Sequence, residues 1–152
     1  MTITLAAIED VTRLLELQRE AFRPRAIELD WLDAFPMIES LESAMEEFRK
    51  NSTFKLTLPD GTIIGSIRGC MEDSKTLYLS RLMVHPDHKR QGHGTRLMQH
   101  ILSVMPHRRA WLYASELEPE VIHMYERLGF REFDREPGER NTQWLMMERH
   151  NK

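Results

Sequence analysis

The residues best suited to chemistry lie in one basic stretch with two glycines, Lys89-Arg90-Gln91-Gly92-His93-Gly94-Thr95. Glycine clears side chains from a turn, so main-chain amides can converge there, and converging amides favour an anion. Leu97, Met98, Ile101, Leu102 and Met105 follow on one helical face, so a helix starts directly from the turn. The first amides of a helix have no intrahelical acceptor and lie at the positive end of its dipole. Lys89, Arg90 and Arg96 add positive charge at the same opening. The chemistry this supports is capture of a phosphate or pyrophosphate. A Walker-type nucleotide loop would end in Gly-Lys-Ser/Thr, whereas here Gly94 is followed by Thr95-Arg96.

Other side chains have two readings each. Tyr125 falls on an apolar stripe with Val121, Met124 and Leu128, as a core aromatic or as a hydroxyl placed for proton transfer. Glu116 and Glu118 follow a strand and are candidates for a general base, or solvated carboxylates. Arg68 and Arg81 fall on neighbouring strands, where they pair with Glu72 and Asp73 or hold a carboxylate of a ligand. His85, His88, His93 and His100 cluster, but Pro86 directly follows His85 and no cysteine accompanies them, so no metal is expected. His93, between the glycines, is expected to lend its amide and point its ring to solvent. Cys70 is the only cysteine, which fits a packed thiol in a reducing compartment.

These residues need elements to hold them. Thr2 to Leu5 alternates as a first strand, and Glu9-Asp10 open a helix whose stripe is Val11, Leu14, Leu15, Gln18 and Phe22. Arg23-Pro24-Arg25 should end it. Residues 26–36 read as irregular, and a second helix uses Ile38, Leu41, Met45 and Phe48. Two strands, Thr53 to Leu58 and Thr62 to Gly69, flank the hairpin turn Pro59-Asp60-Gly61. Thr76 to Val84 is apolar on both parities except at Ser80 and Arg81, as suits a central strand. After the glycine helix comes a strand at Ala110 to Ala114. A helix then runs from Pro119 to a stop at Gly129. Phe130 to Phe133 and Gln143 to Met147 close the chain as paired strands around Glu136-Pro137-Gly138. The expected fold class is α/β (α+β), a mixed and mostly antiparallel sheet with helices on both faces, in a single domain over residues 1–152.

Composition narrows the partners. A net charge of −3 argues against nucleic acid held by bulk electrostatics. No leader and no apolar run of membrane-spanning length is present, so a cytoplasmic protein with no membrane partner is expected.

Met83-Val84-His85-Pro86 followed by Lys89-Arg90-Gln91-Gly92-His93-Gly94 resembles the acyl-CoA motif of the GNAT superfamily of N-acyltransferases. That motif has Gln or Arg where this chain has Lys89, which keeps the charge without the planar fork of arginine. Met124-Tyr125-Glu126-Arg127-Leu128-Gly129-Phe130 is similar to the Leu-Tyr-x-x-x-Gly-Phe stretch of the same superfamily. The resemblance covers nearly the whole chain and implies acetyl-CoA as co-substrate. It implies that Lys89, Arg90, Gln91, Gly92, His93, Gly94 and Thr95 bind the pyrophosphate. The main chain of Leu82, Met83 and Val84 would pair with the pantetheine arm and offer an amide to the tetrahedral oxyanion. It also implies that Tyr125 protonates the leaving thiolate, and that the acceptor is a primary amine of a small molecule or peptide. A homodimer is compatible with it. A non-catalytic acyl-CoA-binding module is the alternative, since no acid stands on the strand before the loop. Acids of the early helices and loop, Glu28, Asp30, Asp33, Glu39, Glu42, Glu46 and Glu47, beside Trp31 and Phe35, lead to the expectation that cationic amines are preferred.

Overall fold

The computed structural model describes residues 1–151. Its strands are β1 (Thr2–Leu5), β2 (Ser52–Thr57), β3 (Ile63–Met71), β4 (Thr76–Val84), β5 (Arg109–Ser115), β6 (Arg131–Pro137) and β7 (Gln143–His150). Its helices are α1 (Val11–Glu28), α2 (Phe35–Ile38), α3 (Leu41–Lys50), α4 (His93–Val104) and α5 (Pro119–Arg127), with 3-10 turns at Ile8–Asp10 and Pro86–His88. The strands form one sheet in the order β1-β2-β3-β4-β5-β7-β6. β1–β2, β5–β7 and β6–β7 pair antiparallel, and β4–β5 pairs parallel. This is the mixed, mostly antiparallel α/β architecture expected from the sequence. Two compact units divide the chain: Met1–Arg68 with Arg81–Ile101, and Gly69–Ser80 with the residues from Leu102 onward.

In the first unit the sheet is covered by helices whose apolar stripes match its two faces. Leu14 and Leu17 of α1 pack with Ile63, Ala6 and Met83. A Cβ added at Gly65 would come 3.1 Å from Leu97 Cδ1 of α4 and 3.3 Å from Leu56 Cβ. Glycine is therefore the residue that lets α4 approach β3. Ser66 and Arg68 line a cleft together with Leu14, Leu15 and Gln18 of α1.

Two helix boundaries differ from the sequence reading. α1 does not stop at Pro24 but runs through it to Glu28. Proline inside a helix costs about 3 kcal/mol, and the last turn is retained because Ala26 is wholly buried. That turn is closed by the Leu29 and Trp31 amides, which donate to Arg25 O (3.0 Å) and Ala26 O (2.8 Å). The helix read from Ile38 splits into the short α2 and an α3 that starts at Leu41, because Ser40 caps it: the Ser43 amide donates to Ser40 Oγ at 3.1 Å. Ile38 and Leu41, expected inside, are exposed.

In the second unit, β5 pairs with β7 from Arg109↔His150 to Ser115↔Trp144. Ala110, Leu112 and Ala114 form the buried face, with Leu145 and Met147 across the ladder. The opposite face carries an aromatic row, in which Tyr78, Trp111 and Tyr113 lie 4.7–6.2 Å apart. α5 has the expected bounds. Gly129 takes φ +95° just past its end, a conformation that favours glycine. The closing strands β6 and β7 run several residues longer than their apolar cores, and β6 takes in Glu136 and Pro137 of the expected loop.

Candidate functional site

The strand that leads to the glycine loop is distorted before it gets there. Arg81 lies inside β4 with φ +53°, a left-handed conformation that costs a non-glycine residue roughly 1–2 kcal/mol. Strain of this kind in the middle of a strand is kept at functional sites. The parallel ladder to β5 extends over Thr76↔Arg109 to Leu79↔Leu112 and ends before it. Leu82, Met83 and Val84 follow Arg81, and the His85 amide then returns to the sheet by donating to Ile64 O at 2.8 Å.

Beyond Pro86–His88 the backbone turns twice through the left-handed region, at Arg90 (φ +62°) and Gly92 (φ +81°). Residues on either side of such positions direct successive amides into one concavity, a form suited to phosphate. A Cβ at Gly92 would meet nothing within 4 Å, so glycine is required there by its φ and not by crowding. This corrects the sequence argument that the glycine removes an obstructing side chain. α4 begins at His93, and its first turn closes with the Arg96 amide donating to Gly92 O at 3.1 Å. The amides of His93, Gly94 and Thr95 precede that bond and lead the helix. Lys89, Arg90, Gln91, Gly92 and Arg96 are exposed around the opening.

Two histidines hold this segment from below. His85 Nδ1 accepts from the Asp87 amide at 3.1 Å, which leaves the proton on Nε2 to be shared with Glu20 Oε2 at 3.2 Å. Both ring nitrogens are thus engaged in shaping the turn. Burial would raise the Glu20 carboxyl, but the hydrogen bond and charge of Arg13, with smaller help from His85, hold it below the ordinary carboxylate value. His93 does not point to solvent as expected. It is 5% exposed, with Nε2 3.1 Å from Gln91 Oε1 and a buried Nδ1 that has no partner. Burial, then the charges of Arg96 and His88, push its pKa down, which favours the neutral ring. Nothing in the sequence signalled this, because a histidine between two glycines has no periodicity to place it.

The first unit also contains a cleft of about 410 Å3 of empty space, part of it open to solvent, between α1, α3 and strands β2 to β4. Gln18, Glu39, Thr53, Ser66, Arg68 and Arg81 bring polar groups to it. Of the acids expected to attract a cation, only Glu39 faces this cleft. Glu42 and Glu46 are exposed, Lys50 lies 3.5 Å from Glu46 and 3.9 Å from Glu47, and Arg25 lies 3.4 Å from Glu28. Gln18, Thr53 and Ser66 had not been singled out as site residues. The one sequence signal was Gln18, a polar interruption of an otherwise apolar stripe. Glu72 and Asp73, offered as counter-ions for the arginines, are used elsewhere: Glu72 accepts from the Trp111 indole at 2.6 Å, and Asp73 caps the turn at Lys75 and Thr76.

In the second unit, Tyr125 is 6% exposed on α5, its ring 6.0 Å from that of Phe130. Burial first, and then the charge of Glu118, raise its pKa far above the usual phenol value, so the hydroxyl keeps its proton throughout the physiological range. Glu118 occupies the N-cap position of α5 and is half-buried. Glu116 is exposed, and its Oε1 accepts from the Gln143 amide at 2.9 Å, tying the end of β5 to the start of β7. That contact gives Glu116 a structural task.

Comparison with known proteins follows the same lines. The sequence matches the Acetyltransferase (GNAT) family over residues 11–130. No curated protein sequence matches it. Among solved structures, it is similar to the PaiA N-acetyltransferase from Thermoplasma acidophilum in complex with coenzyme A. The TM-score is 0.80 and the identity 19%, covering 99% of this chain and 100% of that one. It is also similar to the ribosomal-protein-S18-alanine N-acetyltransferase from Escherichia coli, with TM-score 0.79 and 22% identity over 98% and 92% of the two chains. A third is the spermidine N-acetyltransferase from Vibrio cholerae in complex with CoA and spermine, with TM-score 0.75 and 16% identity over 97% and 93%. At these identities the likeness carries the fold. The family match spans α1, the distorted β4, the glycine loop and the Tyr125 helix together, and on it the chain belongs to the GNAT family of acetyltransferases.

Proposed function

We propose that this acetyltransferase takes its acetyl group from acetyl-CoA and passes it to a primary amine by direct attack, with no acyl-enzyme. The observation that carries this is the loop with two left-handed residues, Arg90 and Gly92, opening onto the first amides of α4. Lys89, Arg90, Gln91, Gly92, His93, Gly94 and Thr95 hold the pyrophosphate, mostly through main chain, with Lys89 and Arg90 supplying charge. Leu82, Met83 and Val84 follow the left-handed Arg81 and offer main-chain groups to the pantetheine arm, and an amide to the oxyanion. Tyr125 gives its proton to the departing thiolate. The reaction forms an amide N–C bond and breaks the thioester C–S bond. The amine must attack neutral, so one proton leaves its nitrogen and one reaches sulfur. Glu118 is the better candidate to receive the first, because its carboxylate charge acts on Tyr125, whereas Glu116 is exposed and accepts from the Gln143 amide.

All of this is consistent with a single catalytic domain working in the cytoplasm. Among the described residues, no helix is long and apolar enough to cross a membrane. Free thiol measured from acetyl-CoA across a panel of amines tests the function. Release that depends on both substrates, with the acetylated amine found by mass, is expected. Tight acetyl-CoA binding without release for any amine would instead show a binding module.

The charge on the loop makes a separate expectation. Arg90 is exposed, so its contribution is screened by salt. Arg90→Ala should weaken acetyl-CoA binding about three- to tenfold at low ionic strength, and by much less in half-molar salt, as read by calorimetry.

A further inference from the structure

The cleft under α1 holds more polar chemistry than packing needs. Thr53 is 4% exposed, lines the cleft, and its Oγ1 is buried without a hydrogen-bond partner. A buried hydroxyl left unpaired costs free energy unless something outside the chain completes it. The Glu39 carboxylate, 3% exposed, is held in place on both oxygens: Gln18 Nε2 donates to Oε1 at 2.9 Å and Ser43 Oγ to Oε2 at 2.8 Å. Arg68 of β3 and Arg81 of β4 also line the cleft and bring positive charge to it. Arg81 is the residue whose left-handed backbone interrupts β4, and its guanidinium sits 5.6 Å from the centre of the Phe35 ring. Strain at the backbone and stacking at the tip both fix where that fork is presented. Planar arginine forks match a carboxylate with two parallel hydrogen bonds. Leu14, Leu15, Phe48 and Met83 give the same cleft an apolar wall.

We propose that this cleft selects an acceptor amine that carries its own carboxylate, a free amino acid with an apolar side chain. Arg68 and Arg81 hold the carboxylate, and the Thr53 hydroxyl has a hydrogen bond to give to the bound acceptor. The apolar wall takes the side chain. This reverses the cationic preference expected from the sequence, because the helix acids behind that expectation lie outside the cleft and only Glu39 lies within it. The proposal names the acceptor for the acetyl transfer argued above and rests on that reading.

The test compares L-leucine with L-leucinamide, which keeps the amine and side chain but lacks the carboxylate, with spermidine as a cationic reference. In the wild type, kcat/KM for leucine should exceed that for leucinamide by at least about tenfold. Arg68→Gln should erase that preference by raising KM for leucine much more than KM for leucinamide. Arg81→Gln should do the same, and serves if Arg68→Gln fails to fold. Binding of the same compounds, followed by calorimetry with CoA present, separates the two ideas. Carboxylate-dependent binding that the arginine variants lose, without thiol release, would uphold this site and overturn the acetyl-transfer reading. Equal or better use and binding of leucinamide or spermidine by the wild type would overturn the carboxylate site and leave acetyl transfer standing.

Discussion

Gly92→Val is expected to reduce acetyl-CoA affinity by about a hundredfold or more while the protein remains folded. A β-branched residue at φ +81° is a genuine outlier, so the loop must leave the conformation that aims its amides together. The new side chain would meet nothing within 4 Å, so no clash is passed to the core and the thermal transition should stay close to that of the wild type. Losing two hydrogen bonds to a charged phosphate, each worth roughly 1.5–3 kcal/mol, corresponds to a hundredfold or more in binding. Gly92→Ala, with a smaller side chain, should fall between the two. Calorimetry on the folded variant decides this, and unchanged affinity would remove the loop from the cofactor site.

Tyr125→Phe is the second large effect, and it falls on a different parameter. The substitution removes one oxygen and keeps the ring packed near Phe130, so the helix should hold and KM for acetyl-CoA should stay within about twofold. The turnover number should drop by roughly ten- to a thousandfold, the usual worth of a placed proton donor. Burial keeps the phenol protonated at neutral pH, which is the state a donor needs. Unchanged kcat would make Tyr125 a core aromatic and nothing more.

The elements that carry this chemistry were legible in the sequence where a single local rule decided them. β4 has the bounds expected from its two apolar parities, and α5 those expected from Pro119 at its start and Gly129 after its end. Features that depend on partners far along the chain were not legible. Pro24 reads locally as a helix end, and only the burial of Ala26 keeps the last turn of α1. Arg81 reads as a charged strand residue. Its left-handed φ leaves no trace in residue type, since the usual marker, glycine, is missing. The burial of His93 and the unpaired hydroxyl of Thr53 are likewise products of packing. Acidic residues counted along the chain suggested an electronegative acceptor cleft. Of those acids Glu39 lines the cleft of the first unit beside Arg68 and Arg81, while Lys50 lies near Glu46 and Glu47 on the surface of α3.

The most direct test of the account is to follow the backbone amide resonances of isotopically labelled protein during titration with CoA. Binding through main chain at a helix start requires the amides of Gln91, Gly92, His93, Gly94 and Thr95 to show the largest displacements, all saturating with one dissociation constant. Amides in that segment that stay unmoved at saturating CoA, while others shift, would contradict it.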